Sequence, residues 1–310
     1  YNGASRIPDV LEKLRSQTGT ENIAWEIIVV DNNSSDQTAD VVQNMIASWH
    51  EVFRLRYVFE VQQGLAFARQ RGVEESQGEL IGFLDDDNFP DENWVLQAYL
   101  FGKQYPKAGA YGGQVHGDFE VTPPDNFDNI QGFLALRERG TKANLYQPEI
   151  LSLPTGAGLV VRKKAWCSSV PSKLTLIGRV NNSMIGGEDW EALIYIYKAG
   201  WEIWYNPEMH LKHKIPAYRL QRDYLLKLIH DSCLCFVPLK MMVIKDHQKA
   251  NVLFRSFLGN IYNLILYYLK YHNQSPKNLV DECEIKIYLS RIHSFFYWFK
   301  NLRYDLNKSK

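Results

Sequence analysis

The chain has 310 residues, 35 Lys+Arg against 35 Asp+Glu, and 45% hydrophobic residues. That length supplies a core for one large domain or two ordinary ones, and the neutral total argues against a protein whose main task is neutralising nucleic acid. The balance is uneven, because residues 211–310 carry 17 Lys+Arg and 7 Asp+Glu, a net +10, while residues 1–210 carry 18 and 28, a net −10.

Residues 1–100 alternate apolar β-branched runs with segments of helical period, the pattern of βα units around a largely parallel sheet. Ile27-Ile28-Val29-Val30 is continuous rather than alternating and predicts a strand buried on both faces. It stops at Asp31-Asn32-Asn33-Ser34-Ser35-Asp36, where Ser34 or Ser35 is expected to cap a helix running through Val41, Val42, Met45 and Ile46. A strand over 55–59, a helix over 64–75 and a strand over 80–84 follow, and the last ends in Asp85-Asp86-Asp87-Asn88. Two strands of one sheet are thus expected to deliver carboxylates at their C-terminal ends, where open α/β sheets bind ligands.

Residues 106–130, rich in Gly, Pro and Asp, predict a strand with long loops. Beyond them come Thr155-Gly156-Ala157-Gly158, then Gly186-Gly187-Glu188-Asp189 with an amphipathic helix to Ala199, then strands around 201–204 and 209–213. After Pro216 the texture changes to long helical stretches dense in Leu, Ile, Tyr, Phe, Lys and Arg. The longest apolar run, 257–269, has 13 residues and is interrupted by Asn260 and Asn263, short of the roughly 20 a membrane span needs. The four cysteines form no C-x-x-C pair, and reduced thiols in the cytoplasm are the expectation.

Three adjacent acids repel one another, and a cation relieves them. Asp85 and Asp87, as alternate residues, can face one way and hold Mg²⁺ or Mn²⁺ with water and phosphate oxygens completing the shell; a solvated turn with helix-capping acids is the plainer reading. Asp31 can accept hydrogen bonds from a base or ribose, or serve an Asx-turn. No G-x-G-x-x-G or G-x-x-x-x-G-K-[ST] follows either strand, so a phosphate ligand must be held by metal and side chains. His210 and His213, three apart on a strand, face opposite sides. Glu188 and Asp189 complement a helix N-terminus whether or not they are catalytic.

Tyr1-Asn2-Gly3 before a helix, Ile27 to Asp36 with Thr38, Gly64 to Arg69, Gly78 to Asp87, and Gly187-Glu188-Asp189 together resemble a family 2 glycosyltransferase of the GT-A fold. The resemblance spans residues 1–225. It implies a Rossmann-like mixed sheet flanked by helices, with residues 226–310 as a C-terminal helical extension and an upstream piece carrying the first strand. Asp31 then contacts the nucleotide base, Arg69 lies near the base or diphosphate beside Asp86, and Asp85 and Asp87 form the D-x-D metal site. The family's spacing from Pro207 implies His213 as a further metal ligand.

An inverting transfer needs a carboxylate opposite the leaving diphosphate to take the acceptor hydroxyl's proton. The resemblance puts that base at Asp189, with Glu188 assisting. Gly156 and Gly158 would let backbone approach the donor sugar or acceptor, and Trp190 either stacks on a sugar or is simply buried. No Q-x-x-R-W follows, which points to transfer of single sugars, and the resemblance together with the tail implies a saccharide or lipid-linked acceptor in surface or extracellular polysaccharide synthesis. Aromatic, basic stretches over 254–272 and 285–304 suit either a membrane interface at the inner face of the cell membrane or packing on the catalytic domain or a second subunit. Two other classes compete: a metal-dependent nucleotidyltransferase, which wants a Gly-rich basic loop that Tyr1 to Ile7 lack, and a non-catalytic membrane-peripheral nucleotide-sugar-binding protein, which would not keep Asp189.

Overall fold

Helix α1 (Ile7–Arg15) opens with a proline in its first turn, where the missing N–H would be unpaired in any case, and buries Val10, Leu11 and Leu14. A βαβα run follows: β1 (Glu26–Asp31), α2 (Thr38–Ala47), β2 (Arg54–Phe59) and α3 (Leu65–Glu75). The computed structural model describes residues 1–180, 183–271 and 278–308; parts of the expected tail, 272–277 and 309–310, lie outside the described residues. Strands β1 and β2 pair in parallel from Glu26/Arg54 to Asp31/Phe59, as a helical crossover requires.

Two local expectations are corrected here. Of the apolar residues in β1 only Ile27 is buried, packed with Leu11 of α1 and Leu55 of β2, while Ile28, Val29 and Val30 are half-buried and line a cavity. Helix α2 is capped by neither Ser34 nor Ser35. Asp36 Oδ1 accepts the Thr38 N–H at 3.0 Å, being at the right offset from the first turn. Ser34 Oγ instead accepts from the Asn2 N–H, and the Ser35 N–H donates to Asn2 Oδ1, both at 2.9 Å, so the two serines fasten the N-terminal segment.

Strands β3 (Leu80–Gly82) and β4 (Asn88–Pro90) flank the acidic turn, and α4 (Trp94–Gln104), β5 (Ala108–Phe119), β6 (Asn144–Leu145), β7 (Val160–Arg162), α5 (Lys163–Ser169) and α6 (Glu188–Lys198) come next. One 14-residue strand, β8 (Glu202–Ile215), replaces the two short strands expected there; a register shift against β5 at Gly112/Gln114 absorbs the irregularity around Pro207. The order is β3-β7-β5-β8-β4 with β6 on β8, and only the β5/β8 pair is parallel. The sheet is therefore mixed, as the resemblance implied, and Asp31 and Asp85 follow strands of different ladders, β1/β2 and β3/β7.

The main core lies between this sheet and α5 and α6, with Leu159, Val161, Leu193, Ile194, Ile196, Ile203 and Tyr205 almost fully buried. A second cluster joins Leu211 and Ile215 of β8 to Leu225, Leu228 and Ile229 of α7 (Arg222–Leu234) and to Val280 and Cys283 of α10 (Leu279–Lys308). The boundary expected at 225/226 falls inside α7. Helix α8 (Phe236–Val243) touches α10 through Val237, Met241 and Phe295, whereas α9 (Asp246–Tyr271) exposes Phe254, Leu258, Tyr262, Ile265 and Leu269 along one face. Among the described residues no helix is long and apolar enough to cross a membrane.

Candidate active site

The acidic turn is shaped by its last residue. Asn88 Oδ1 accepts the Asp85 N–H and the Asn88 N–H donates back to the Asp85 carbonyl, both at 3.1 Å. Strand β4 then pairs with β8 so that Asn88 stands opposite His213, and the Lys214 N–H donates to the Asp87 carbonyl at 2.9 Å. This register brings His213 Nε2 to 3.3 Å from Asp87 Oδ2. His213 Nδ1 sits 2.9 Å from the Leu134 carbonyl, an acceptor that requires a proton on Nδ1 and turns the Nε2 edge into the site. Arg219 reaches the same point, with Nη2 2.8 Å from Asp87 Oδ2 and Nη1 3.0 Å from His213 Nε2. Burial works against the Asp87 charge, but His213 and Arg219 overcome it and lower its pKa to about 2.

The neighbouring acids diverge. Asp86 turns to Arg6, 2.7 Å away. Asp85 faces inward, and desolvation raises its pKa despite the opposing charge of Arg69. Among the described residues no three His, Cys, Asp or Glu side chains converge tightly enough to hold a metal as they stand. The donor set still fits one. Two carboxylates and an imidazole suit Mg²⁺ or Mn²⁺, and the Arg219 guanidinium already supplies positive charge at Asp87.

Asp31, 3% exposed, closes the end of β1. The Ser34 N–H donates to its Oδ1 at 3.0 Å and the Tyr57 hydroxyl to its Oδ2 at 2.8 Å; burial and this carboxylate push the Tyr57 hydroxyl up to about 12. The turn-forming role is therefore present, in a residue that also lines the cavity.

Gly187, at φ 99°, turns the chain into α6 and sets Glu188 and Asp189 in its first turn. Glu188 Oε1 meets Arg69 Nη1 at 2.9 Å, with both side chains 6% exposed, so Arg69 is not the surface residue its composition would allow. Glu188 Oε2 is buried with no hydrogen-bond partner. Burial and the adjoining Asp189 push Glu188 up to about 7, with Arg69 opposing. Asp189 Oδ1 accepts the N–H of Trp190 at 2.9 Å, and its Oδ2 has no partner among the described residues. Trp190 Nε1 donates to the Pro154 carbonyl at 3.0 Å and its ring packs on the main core, the buried alternative for this residue, although the ring also lines the cavity.

The glycines divide. A Cβ on Gly156 would stand 2.2 Å from Arg69 Nη2 and 3.1 Å from Asp189 Oδ2, so the absent side chain is what allows those two groups to converge. Gly158 has φ 68° and Leu211 Cδ2 2.3 Å from its Cβ position, so it serves the turn and the packing beneath it. His210 faces away from His213 and stacks on His116, with centroids 5.3 Å apart.

Asp31, Arg69, Asp85, Asp86, Asp87, Glu188, Asp189, Trp190 and His213 open onto one cavity of about 1240 Å³. Sequence reasoning missed Arg219, although it lies just past Pro216. It also missed Tyr57 and Arg291, which carry no local motif.

Residues 1–166 match the family model for Glycosyl transferase family 2. The chain is similar to the glycosyltransferase AglE of Haloferax volcanii, with 34% identity over 47% of each chain. It is also similar to the glucosyl-dolichyl phosphate glucuronosyltransferase of the same organism, with 24% identity over 64% of this chain and 62% of that one, and to the succinoglycan biosynthesis protein ExoM of Rhizobium meliloti, with 24% identity over 72% and 68%. It thus spans about half the length of AglE and under two thirds of the glucuronosyltransferase. In fold it is similar to the mannosyltransferase PcManGT from Pyrobaculum calidifontis, solved with GDP-Man and Mn²⁺, at a TM-score of 0.59 and 15% identity over 96% of this chain and 84% of that one. GalNAc-T7, solved with UDP, GalNAc and Mn²⁺, gives 0.52 and 13% over 76% and 51%. With the mixed sheet and the family match over more than half its length, this chain belongs to glycosyltransferase family 2 and has the GT-A fold.

Proposed function

We propose that the protein transfers a single sugar, with inversion, from a nucleotide-diphosphate sugar to a hydroxyl of a saccharide or lipid-linked acceptor. One observation carries the reading: Asp189, with an uncommitted Oδ2, and the Asp85/Asp87/His213 group open onto the same cavity, with the Arg69–Glu188 pair beside them. Asp189 takes the acceptor's proton. Arg69 is held rigid by Glu188 and presents its remaining guanidinium edge toward Gly156 and the donor. Asp31, at the end of β1, accepts from the nucleoside. Asp85, Asp87 and His213 would hold Mg²⁺ or Mn²⁺, which when bound supplies charge to stabilise the leaving diphosphate.

Residues 1–225 form the catalytic part in this reading, and 226–310 the helical extension. The exposed stripe Phe254, Leu258, Tyr262, Ile265 and Leu269, flanked by Lys249 and Arg255, suits peripheral contact with an anionic membrane face, consistent with a cytoplasmic enzyme serving polysaccharide assembly. The named relatives act in related settings, one of them a dolichyl phosphate glycosyltransferase and another a succinoglycan biosynthesis protein. The test is Asp189→Asn: donor binding by calorimetry is expected to persist while sugar transfer falls by at least about 100-fold. Near-normal transfer by that variant would remove the base from Asp189.

A further inference from the structure

Arg219 stands on a single turn, Ala217–Leu220, between β8 and α7. The turn is anchored. Pro216 restricts the chain ahead of it, the Arg219 N–H donates to the Pro216 carbonyl at 2.9 Å, and Leu220 is buried in the second core cluster. From this base the long side chain reaches the cavity. Its guanidinium touches two atoms at once, Asp87 Oδ2 at 2.8 Å through Nη2 and His213 Nε2 at 3.0 Å through Nη1. Those two atoms lie 3.3 Å apart, and they are the pair that the donor set offers to a divalent cation. Arginine and a metal ion therefore compete for one place.

Three arginines that line the cavity pair with a carboxylate among the described residues: Arg6 with Asp86, Arg69 with Glu188 and Arg219 with Asp87. Asp86 and Glu188 are outside the metal set, so the first two pairs survive the arrival of a cation. Arg219 loses its partner. Asp87 itself has no need to move, because Asn88 Nδ2 donates to its Oδ1 at 3.1 Å while Oδ2 changes partner. The displaced guanidinium, on a side chain 17% exposed, keeps a neutral neighbour in the Tyr218 hydroxyl, 3.4 Å from Nε. A charge left in so little solvent is relieved by an oxyanion. A diphosphate that shares a divalent cation with carboxylates sets its remaining oxygens beside that cation, within the span of a guanidinium fork that can donate to two of them together. No glycine-rich phosphate loop follows either strand to do this instead.

We propose that Arg219 serves two anions in turn, neutralising Asp87 in the free enzyme and gripping the terminal phosphate of the nucleotide diphosphate once a divalent cation takes Asp87. The proposal rests on the nucleotide-sugar reading for its ligand. The move is a rotation of the side chain on a fixed turn.

The experiment uses the full chain with UDP, GDP, ADP, CDP and dTDP and the matching monophosphates, titrated by calorimetry at saturating Mn²⁺, and with Mn²⁺ alone followed by paramagnetic resonance. For the diphosphate that wild type binds most tightly, Arg219→Gln is expected to weaken binding at least about tenfold. The matching monophosphate, which lacks the gripped group, should lose less than about twofold. Arg219→Lys keeps the charge without the fork and should fall between. Without nucleotide the Gln variant should bind Mn²⁺ several-fold more tightly, because Asp87 has no rival for it. Opposite changes in one variant separate this role from misfolding, which would weaken both. Unchanged diphosphate binding, an equal loss for monophosphate and diphosphate, or weaker Mn²⁺ binding would overturn the proposal. Wild type that binds none of the diphosphates with Mn²⁺ would reject the nucleotide-sugar reading itself, and the proposal with it.

Discussion

The unpartnered carboxylate of Glu188 leads to a prediction about stability against pH. Its side chain is 6% exposed, its Oε2 accepts no hydrogen bond, and its pKa stands at about 7 against an ordinary 4.5. A carboxyl whose pKa is raised in the folded state binds its proton more tightly there than in the unfolded chain. Between 4.5 and 7 the native protein holds the extra proton, and stability falls as pH rises through that window. At about 1.4 kcal/mol per pH unit, the loss is roughly 3 kcal/mol, and burial leaves little solvent screening to reduce it. Gln in place of Glu188 matches the protonated shape and cannot ionise. Urea unfolding of wild type and Glu188→Gln from pH 4 to 8 should therefore give similar stabilities at pH 4 and diverge above it, with the variant more stable at pH 8. Arg69 does not reverse the sign, because Asp189 and Asp85 remain near it. Parallel curves, or a variant less stable at pH 8, would show that the Arg69 ion pair outweighs desolvation.

Three further outcomes are expected. Arg219→Ala removes the guanidinium that neutralises Asp87, so Mn²⁺ without nucleotide should bind several-fold more tightly, as read by paramagnetic resonance of the free ion; weaker binding would make Arg219 a helper of the metal rather than its stand-in. Gly158→Ala forces a side chain into a φ of 68° and against Leu211, at a cost of roughly 2–4 kcal/mol in urea unfolding, and a cost under 1 kcal/mol would mean the turn relaxes. Phe254→Ser with Leu258→Ser, both on exposed positions, should leave the melting temperature within a degree or two and reduce co-sedimentation with anionic vesicles; unchanged sedimentation would place any membrane contact elsewhere.

Much of the site was legible because its parts are local. An apolar strand ending in Asp, a triplet of acids, and a glycine before two acids each sit within ten residues, and each lies where βα geometry and helix entry would put it. What the sequence concealed was pairing across distance. Arg69 and Glu188 are 119 residues apart, so nothing local distinguishes a buried arginine from a surface one. Arg219 becomes visible only when β8 lies beside β4. The serine caps were misread because Asn2, more than 30 residues upstream, competes for them. The antiparallel pairing of β3 with β7 was hidden from the local pattern, because a three-residue strand carries no signal of the direction of its partner.

Strand β8 also bears on how the enzyme comes into being. Its pairing with β5 joins residues such as Gln114 and His210, 96 apart, and it holds β4 on its other edge and β6 besides. Closing so long a loop delays a contact in folding, and everything that orients His213 against Asp87 depends on that contact. The Asp31 end of β1 and β2 is built from neighbours in the chain and has no such delay. A refolding chain should therefore acquire its parallel βα half early and the His213–Asp87 contact late, with the last slow phase reporting the arrival of one strand.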